Sequence, residues 1–145
     1  MNNKFTRAAF FALALLTLVM GVIVPLRKAE AATTYNNTTF TNLTCSVSSA
    51  GVLSANMTVT GIKGTTSGIA VELYVQKRIL GLFWKKVDIG CPNNIWTDST
   101  TSTTYSHVFT HTLTSTGTYR VTVTYTVSGS GGADDVITMT DTVTY

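Results

Sequence analysis

The stretch GTYRVTVTYTV, residues 117–127, decides how the rest of the chain is interpreted. From Tyr119 to Val127 an apolar residue occupies every second position, and Thr or Arg occupies the positions between. Successive side chains of a β-strand point to opposite faces, so a period of two places all the tyrosines and valines on one face. A helix would distribute the same residues around its axis. The stretch therefore predicts a long, half-buried β-strand.

Four other segments share this period, at residues 52–60, 69–78, 105–113 and 135–145. Their predicted inward positions are Leu53, Ala55, Met57, Val59, Ile69, Val71, Leu73, Val75, Tyr105, His107, Phe109, His111, Leu113, Ile137, Met139, Val143 and Tyr145. A further strand is predicted around residues 38–47. Asp141 interrupts the last inward face, and we expect it near a wet end of the sheet or after a bulge that resets the register.

The connections between these segments are rich in turn residues: GIKGTTSG at 61–68, CPNNIWTDSTTS at 91–102 and SGSGGADD at 128–135. Short alternating strands joined by Gly, Ser, Asn and Asp turns over roughly 110 residues are typical of a sandwich of two antiparallel sheets. The sequence therefore predicts an all-β chain with a single antiparallel, immunoglobulin-like β-sandwich of about seven strands at residues 32–145.

The first 31 residues have the three parts of a secretory signal peptide. A basic start precedes an uncharged run at residues 8–24, and Ala29 and Ala31 satisfy the small-x-small pattern for cleavage after Ala31. This run is at the lower limit of a bilayer span, so an uncleaved N-terminal membrane anchor stays open as the alternative. Both alternatives place the β-domain outside the cytoplasm, and we expect a secreted or extracellular protein.

The charge of the β-domain argues against nucleic-acid binding. The chain has 10 Lys+Arg and 7 Asp+Glu residues. Residues 1–31 hold four of the basic residues and one acidic residue, which leaves six of each in residues 32–145. Binding of phosphate backbones needs a surplus of clustered positive charge. A neutral domain lacks that surplus, so no nucleic-acid partner is expected.

Cys45 and Cys91 are the two cysteines of the chain. In an oxidising extracellular compartment a single pair predicts a structural disulfide, and closing a loop of this length is worth ~3–4 kcal/mol on the chain-entropy model. Two buried thiols are the alternative if the exporting cell has weak disulfide machinery. A zinc site is disfavoured because the pair has neither C-x-x-C spacing nor nearby His ligands.

The stretch RILGLFWKK, residues 78–86, is the candidate contact surface. We expect a turn at Ile79-Leu80-Gly81, with positive φ at Gly81, followed by a strand at residues 82–89. One alternative is that these apolar side chains simply pack on the sheet. The other is that they stay exposed among basic groups and contact a membrane or an envelope partner. The residues proposed for that contact are Arg78, Leu80, Phe83, Trp84, Lys85 and Lys86.

Ser115-Thr116-Gly117-Thr118-Tyr119, followed by alternating valines, resembles the penultimate strand of bacterial immunoglobulin-like domains. The wider pattern, VELYVQKRILGLFWKKV followed by TYRVTVTYTV and a terminal TVTY, resembles small secreted proteins of Firmicutes that have no known function. The resemblance implies that Tyr119 forms a tyrosine corner, in which its hydroxyl bonds to upstream backbone. The cysteine positions depart from the usual immunoglobulin disulfide, which joins the second and penultimate strands.

No set of residues predicts catalysis, a metal site or a cofactor. His107 and His111 would lie ~13 Å apart along a strand, too far to bind one ion together. No G-x-S-x-G element marks a serine nucleophile. Asp134 and Asp135 lack the ligand ladder of a calcium loop, and we expect them in a solvated hairpin turn.

These observations predict a non-catalytic extracellular or envelope-associated binding module. A bacteriocin-like or membrane-active secreted effector is the first alternative, and a small hydrolase with an unrecognised site is the second. The expected partner is an unknown protein or envelope ligand, or a weak contact with membrane or cell wall. The sequence names neither the ligand nor the oligomeric state.

Overall fold

Eight β-strands and one short 3₁₀ helix account for the regular structure of residues 34–145, the part of the chain that the computed structural model describes. The strands are β1 (Thr38–Val47), β2 (Val52–Gly61), β3 (Thr66–Ile79), β4 (Phe83–Lys86), β5 (Trp96–Thr100), β6 (Thr104–Thr112), β7 (Thr118–Gly129) and β8 (Asp135–Thr144). The 3₁₀ helix, Pro92–Asn94, lies between β4 and β5. The signal segment predicted at residues 1–31 lies outside the described residues.

The period-two alternation places apolar residues in the core, as predicted. Along β7 the alternate side chains from Tyr119 to Val127 are at most 2% exposed. The predicted inward residues of β2 and β3 are at most 1% exposed. β-Branched and aromatic residues fit a pleated surface that is buried on one face, which is why these segments form strands. His107 is an exception among the predicted inward residues, because it is exposed.

The strands form two antiparallel sheets that enclose one core. The first has the order β1-β2-β6, and the second has the order β4-β3-β7-β8, with β5 also paired to β3. The chain crosses between the sheets three times, after β2, after β5 and after β6, which gives the Greek-key connections of an immunoglobulin-like sandwich. The predicted fold class is therefore confirmed, with eight strands in place of about seven.

Specific contacts join the two sheets at both sides of the sandwich. On one side the Asp141 carboxylate of β8 accepts a hydrogen bond from the Cys45 backbone N–H of β1 at 2.7 Å. On the other side the Tyr105 hydroxyl of β6 donates to Asp98 of β5 at 3.0 Å. Trp96 of β5 also stacks on His107, with ring centroids 4.9 Å apart. These contacts involve β1, β5, β6 and β8 and not the β3–β4 hairpin.

Two expectations about polar segments are corrected by the structure: the 91–102 connection is not all turn, and the bulge alternative for Asp141 is excluded. The connection at 91–102 contains a strand, β5, which the sequence hides because WTDST has no apolar alternation and lies at an edge of the sheet. Asp141 does not follow a bulge, since the β7–β8 register is continuous from Val127 to Thr118. Asp141 instead accepts the backbone hydrogen bond of Cys45, so its inward position has a structural reason.

Asp134 and Asp135 were both expected in a solvated turn, and only Asp134 is exposed to solvent. Asp135 is 6% exposed. Its two carboxylate oxygens accept hydrogen bonds, each of 2.8 Å, from the backbone N–H groups of Asn36 and Asn37 and from the Thr38 hydroxyl. These bonds attach the entry of the domain to the beginning of its last strand.

The disulfide predicted between Cys45 and Cys91 is absent, because both cysteines are free and half-buried. Cys45 lies on β1 beside β8, whereas Cys91 lies between β4 and β5, which both pair with β3. β7 and β3 therefore separate the two positions. Neighbouring strands are ~4.8 Å apart, whereas bridged Cα atoms lie only ~4.4–6.8 Å apart. Cys45 therefore lies in the three-stranded sheet next to the β8 edge of the other sheet, whereas Cys91 lies beyond β3 on the opposite side, and the two thiols are out of reach of each other.

Candidate functional site

The β3–β4 hairpin turns through an unusual backbone conformation. Leu80 has φ of 51° and Gly81 has φ of 69°. The Leu82 N–H donates to the Ile79 carbonyl at 3.0 Å and closes the turn. Two consecutive positive φ angles are typical of the primed turns that match the twist of a hairpin. Gly81 adopts this conformation freely, whereas Leu80 adopts it at a steric cost of ~1–2 kcal/mol.

The turn presents four large apolar side chains to solvent. Leu80 is 85% exposed, Leu82 is 74% exposed and Phe83 is 66% exposed. Ile79, which pairs with Phe83, is 37% exposed. We call Ile79, Leu80, Leu82 and Phe83 the apolar tip. These residues are neighbours in the chain, so they form a continuous patch, in contrast to the scattered exposed apolar residues that are ordinary on protein surfaces.

Five basic residues surround the base of the apolar tip. Lys77 pairs with Lys85, Gln76 pairs with Lys86, and Arg78 pairs with Trp84 across the hairpin. Arg120 of β7 pairs with Gln76 from the other side of β3. We call Lys77, Arg78, Lys85, Lys86 and Arg120 the basic collar. The alternation of strand side chains puts Lys77 and Lys85 on one face of the hairpin and the other three on the opposite face.

The Trp84 ring is in contact with two members of the basic collar. The Arg120 guanidinium is 4.3 Å from the centroid of the Trp84 ring, and the Arg78 guanidinium is 5.9 Å from it. Gln76 Oε1 accepts hydrogen bonds from Arg120 Nη2 and Nε at 2.6 and 3.1 Å, which fixes that guanidinium on the ring. Cation–π contacts of this kind are worth ~0.5–1 kcal/mol at exposed sites. They hold the cations at the surface in defined positions.

The base of the hairpin is supported by the corner before β7. The Tyr119 hydroxyl donates to the Ser115 carbonyl at 2.5 Å, which is the hydrogen bond of a tyrosine corner. Lys77 Nζ donates to Ser115 Oγ at 2.6 Å and lies 5.5 Å from the centroid of the Tyr119 ring. The collar is therefore connected to a rigid part of the sandwich.

The two histidines do not form a site with each other or with carboxylates. His107 is stacked on Trp96 and His111 is half-buried elsewhere on β6. Within residues 34–145, no three His, Cys, Asp or Glu side chains lie close enough together to hold a metal ion. The same residues include no helix that is long and apolar enough to span a membrane.

The structure brings together all six residues proposed from RILGLFWKK and adds Lys77 and Arg120 to them. Lys77 directly precedes the quoted stretch, so alternation alone could have indicated it. Arg120 is 42 positions from Arg78 in the chain, and only the pairing of β3 with β7 brings it to the hairpin. Sequence reasoning had no means of finding that register.

Comparison with known proteins adds no assignment for this site. No protein-family model matches the chain, and a search of curated proteins finds no significant match. Function is inferred below from the geometry of the hairpin.

Proposed function

We propose that the chain is a secreted, non-catalytic binding module of the extracellular space or cell envelope, of the kind found among small secreted proteins of Firmicutes. The observation that supports this most strongly is the apolar tip, exposed at the end of a hairpin that the rest of the sandwich does not cover. Large exposed patches of this kind mark contact sites on soluble domains.

The arrangement of charge supports a binding role as well. Of the six Lys and Arg residues in the described part of the chain, five form the basic collar, and Lys63 is the sixth. The acidic residues nearest the hairpin in sequence are Glu72 on β3 and Asp88 after β4. A nearly neutral domain thus concentrates its positive charge at one projecting end, which steers that end toward anionic partners.

The sandwich fixes the position of the strands that carry this surface. β3 pairs with β7 over eleven residue pairs, and both strands contribute fully buried side chains to the core. A contact surface that is fixed before binding loses little conformational entropy when it binds. The β3–β4 hairpin needs no catalytic group to bind a partner in this way.

Binding to isolated cell envelopes of a Gram-positive bacterium tests the proposed function. We expect the double variant Leu80→Ser, Phe83→Ser to co-sediment with envelopes at least about tenfold more weakly than the unmodified chain, since each large side chain contributes ~1.5–3 kcal/mol when buried. The matched control is Phe40→Ser, Val136→Ser, which removes one aromatic and one aliphatic side chain that are 55% and 65% exposed on other strands. Equal loss in both double variants, or no loss in either, contradicts the proposal.

A further inference from the structure

The spacing between the apolar tip and the basic collar has the dimensions of a lipid–water interface. Ile79 and Phe83 form the last pair of the hairpin, and Lys77 and Lys85 form the pair two residues behind them. At a rise of ~3.4 Å per residue, the Lys77–Lys85 pair lies ~7 Å behind the last apolar pair, with Arg78 one residue closer to that pair and Lys86 one residue farther from it. Apolar faces of interfacial elements enter a bilayer by ~5–10 Å, with Lys and Arg at the headgroups.

The apolar tip matches the hydrocarbon of an anionic membrane, and Trp84 and the basic collar match its headgroup region. The tip offers two leucines, an isoleucine and a phenylalanine, which have no polar group to satisfy in hydrocarbon. Trp84, one residue behind Phe83, has guanidinium groups 4.3 and 5.9 Å from its ring centroid. Tryptophan is enriched at the headgroup level of membrane proteins. Each collar cation near an anionic surface adds electrostatic attraction that salt screens.

A protein partner fits this surface less well. Stable protein interfaces bury roughly 800 Å² on each partner, contributed by 20–30 residues. The tip consists of four side chains on a turn, far fewer than the residues of such an interface. A soluble anionic polymer would account for the collar but leaves the exposed leucines without a role.

We propose that the β3–β4 hairpin inserts its apolar tip into the outer surface of a lipid bilayer that contains anionic headgroups, with the basic collar contacting those headgroups. The inference rests on the proposed function, because it identifies the partner of the same hairpin. In this arrangement Leu80 and Phe83 enter the hydrocarbon, and the basic collar makes the protein prefer bilayers with anionic lipids. Binding is reversible, since four side chains are far fewer than a membrane-spanning segment contains.

The chain has two tryptophans, Trp84 on the hairpin and Trp96 on β5, and these permit a direct test. Trp96→Phe leaves Trp84 as the sole reporter, and Trp84→Phe leaves Trp96. Fluorescence of each full-length variant is measured with phosphatidylcholine vesicles and with mixed phosphatidylcholine–phosphatidylglycerol vesicles. Both sets contain lipids brominated in the upper part of the acyl chains, which quench tryptophan only at short range.

We expect strong quenching of Trp84 in the anionic vesicles, little in the zwitterionic vesicles, and little quenching of Trp96 in either. Leu80→Ser, Phe83→Ser should abolish quenching of Trp84, and Phe40→Ser, Val136→Ser should leave it unchanged. Lys85→Glu, Lys86→Glu keeps the tip and is expected to weaken partitioning at least about tenfold. Both control and test variants carry the same residues 1–33, so a difference between them reports on the β-domain.

Equal quenching of the two tryptophans, or equal quenching in the two vesicle types, overturns the inference. If vesicles fail to quench Trp84 while envelope binding still depends on Leu80 and Phe83, the membrane inference fails. The proposed function then survives with an envelope protein or polymer as the partner. If envelope binding is also independent of the tip, both fail.

Discussion

Leu80 is the residue whose backbone conformation fits its side chain least well. A β-hairpin turn with two positive φ angles favours Asn, Asp or Gly at both central positions, and Gly81 follows that preference. Leu80 does not, and it also exposes 85% of its side chain. A residue that is strained and also exposed serves neither turn formation nor core packing. Such conflicts concentrate at functional positions, which supports a role for Leu80 in contact with a partner.

Replacing Leu80 by Asn should therefore stabilise the free domain while it removes part of the tip. Asn tolerates the left-handed region, so we expect the free energy of unfolding to rise by about 1 kcal/mol. Leu82→Asn is the matched control, because Leu82 is similarly exposed and is not among the residues with positive φ. Chemical denaturation measures both variants. An unchanged or lowered stability of Leu80→Asn relative to Leu82→Asn would show that the turn is not strained.

Asp135 is a buried carboxylate, and the hydrogen bonds around it stabilise its ionised form. Burial by itself raises the pKa of the carboxyl, but hydrogen bonds from Asn36, Asn37 and Thr38 outweigh this effect and hold the pKa below its ordinary value of 3.8. A lowered folded-state pKa means that the ionised carboxylate stabilises the folded domain above the unfolded pKa. That contribution is lost as the pH falls through the folded pKa.

We expect Asp135→Asn to lower the free energy of unfolding at neutral pH by about 2–3 kcal/mol, since it weakens hydrogen bonds to a charged acceptor. We expect the unmodified chain to lose stability below about pH 4, and the variant should lose part of that acid sensitivity. Asp134→Asn, at the exposed neighbouring position, is the control. Urea unfolding curves at neutral and acid pH make the comparison. A similar effect of the two substitutions would contradict the role assigned to Asp135.

The two free thiols should differ in reactivity. Burial, with the Asp141 carboxylate as a second cause, raises the pKa of Cys45 to about 12, so almost no thiolate forms there at neutral pH. We expect native alkylation near pH 8 to modify Cys91 well before Cys45, and denaturation without reductant to make both available. Peptide mass mapping identifies the modified cysteine. A bond that must be reduced before either reacts would contradict the free cysteines of the structure.

At the scale of elements, the hairpin differs from the strands that form the core. Leu73 of β3 is 0% exposed, whereas Leu80 and Phe83 at the end of the same hairpin are mostly exposed. We expect Leu73→Ala to cost about 2–5 kcal/mol of stability. Leu80→Ser, Phe83→Ser should change stability by less than about 1 kcal/mol. Thermal and chemical unfolding measure both. Unfolding of the double variant would show that these side chains pack in the core and that the hairpin is not a contact surface.

The strands that bury one face were predictable from the sequence, because their apolar residues recur at every second position. β2, β3, β6, β7 and β8 each bury one face, so their apolar period marks them within a few residues. β5 was not predictable, because its residues are polar and its strand conformation depends on pairing with β3. The RILGLFWKK stretch was identified from its apolar and basic composition together with the predicted turn, and packing on the sheet stayed open as the alternative. Its completion by Arg120 depends on the β3–β7 register, which local sequence does not encode.

The buried Asp135 and the separated cysteines were mispredicted for a related reason. Both predictions used local sequence: a Gly-rich turn for the aspartate, and a lone cysteine pair for the disulfide. Each outcome depends on which strands meet in three dimensions. Asp135 faces the entry of β1, and Cys45 lies beside β8 whereas Cys91 lies beyond β3, with β7 and β3 between them.

At the scale of the whole molecule, the domain is a rigid sandwich with one distinct end. The basic collar and the apolar tip project together, while the acidic groups Asp98, Asp135 and Asp141 make hydrogen bonds elsewhere in the fold. Raising the salt concentration from about 0.1 M to about 1 M shortens the screening length from ~10 Å to ~3 Å. Attachment that depends on this end should therefore weaken with salt but keep a residual apolar component.

The most direct test of the account is whether a partner covers the hairpin and leaves the rest of the domain exposed. Acrylamide quenching of the variant that retains only Trp84 should fall when Gram-positive envelopes are added, because the bound partner shields the indole. The variant that retains only Trp96 should be quenched to the same extent with and without envelopes. Unchanged accessibility of Trp84 in the bound state, or equal protection of both tryptophans, would contradict the assignment of the hairpin as the contact surface.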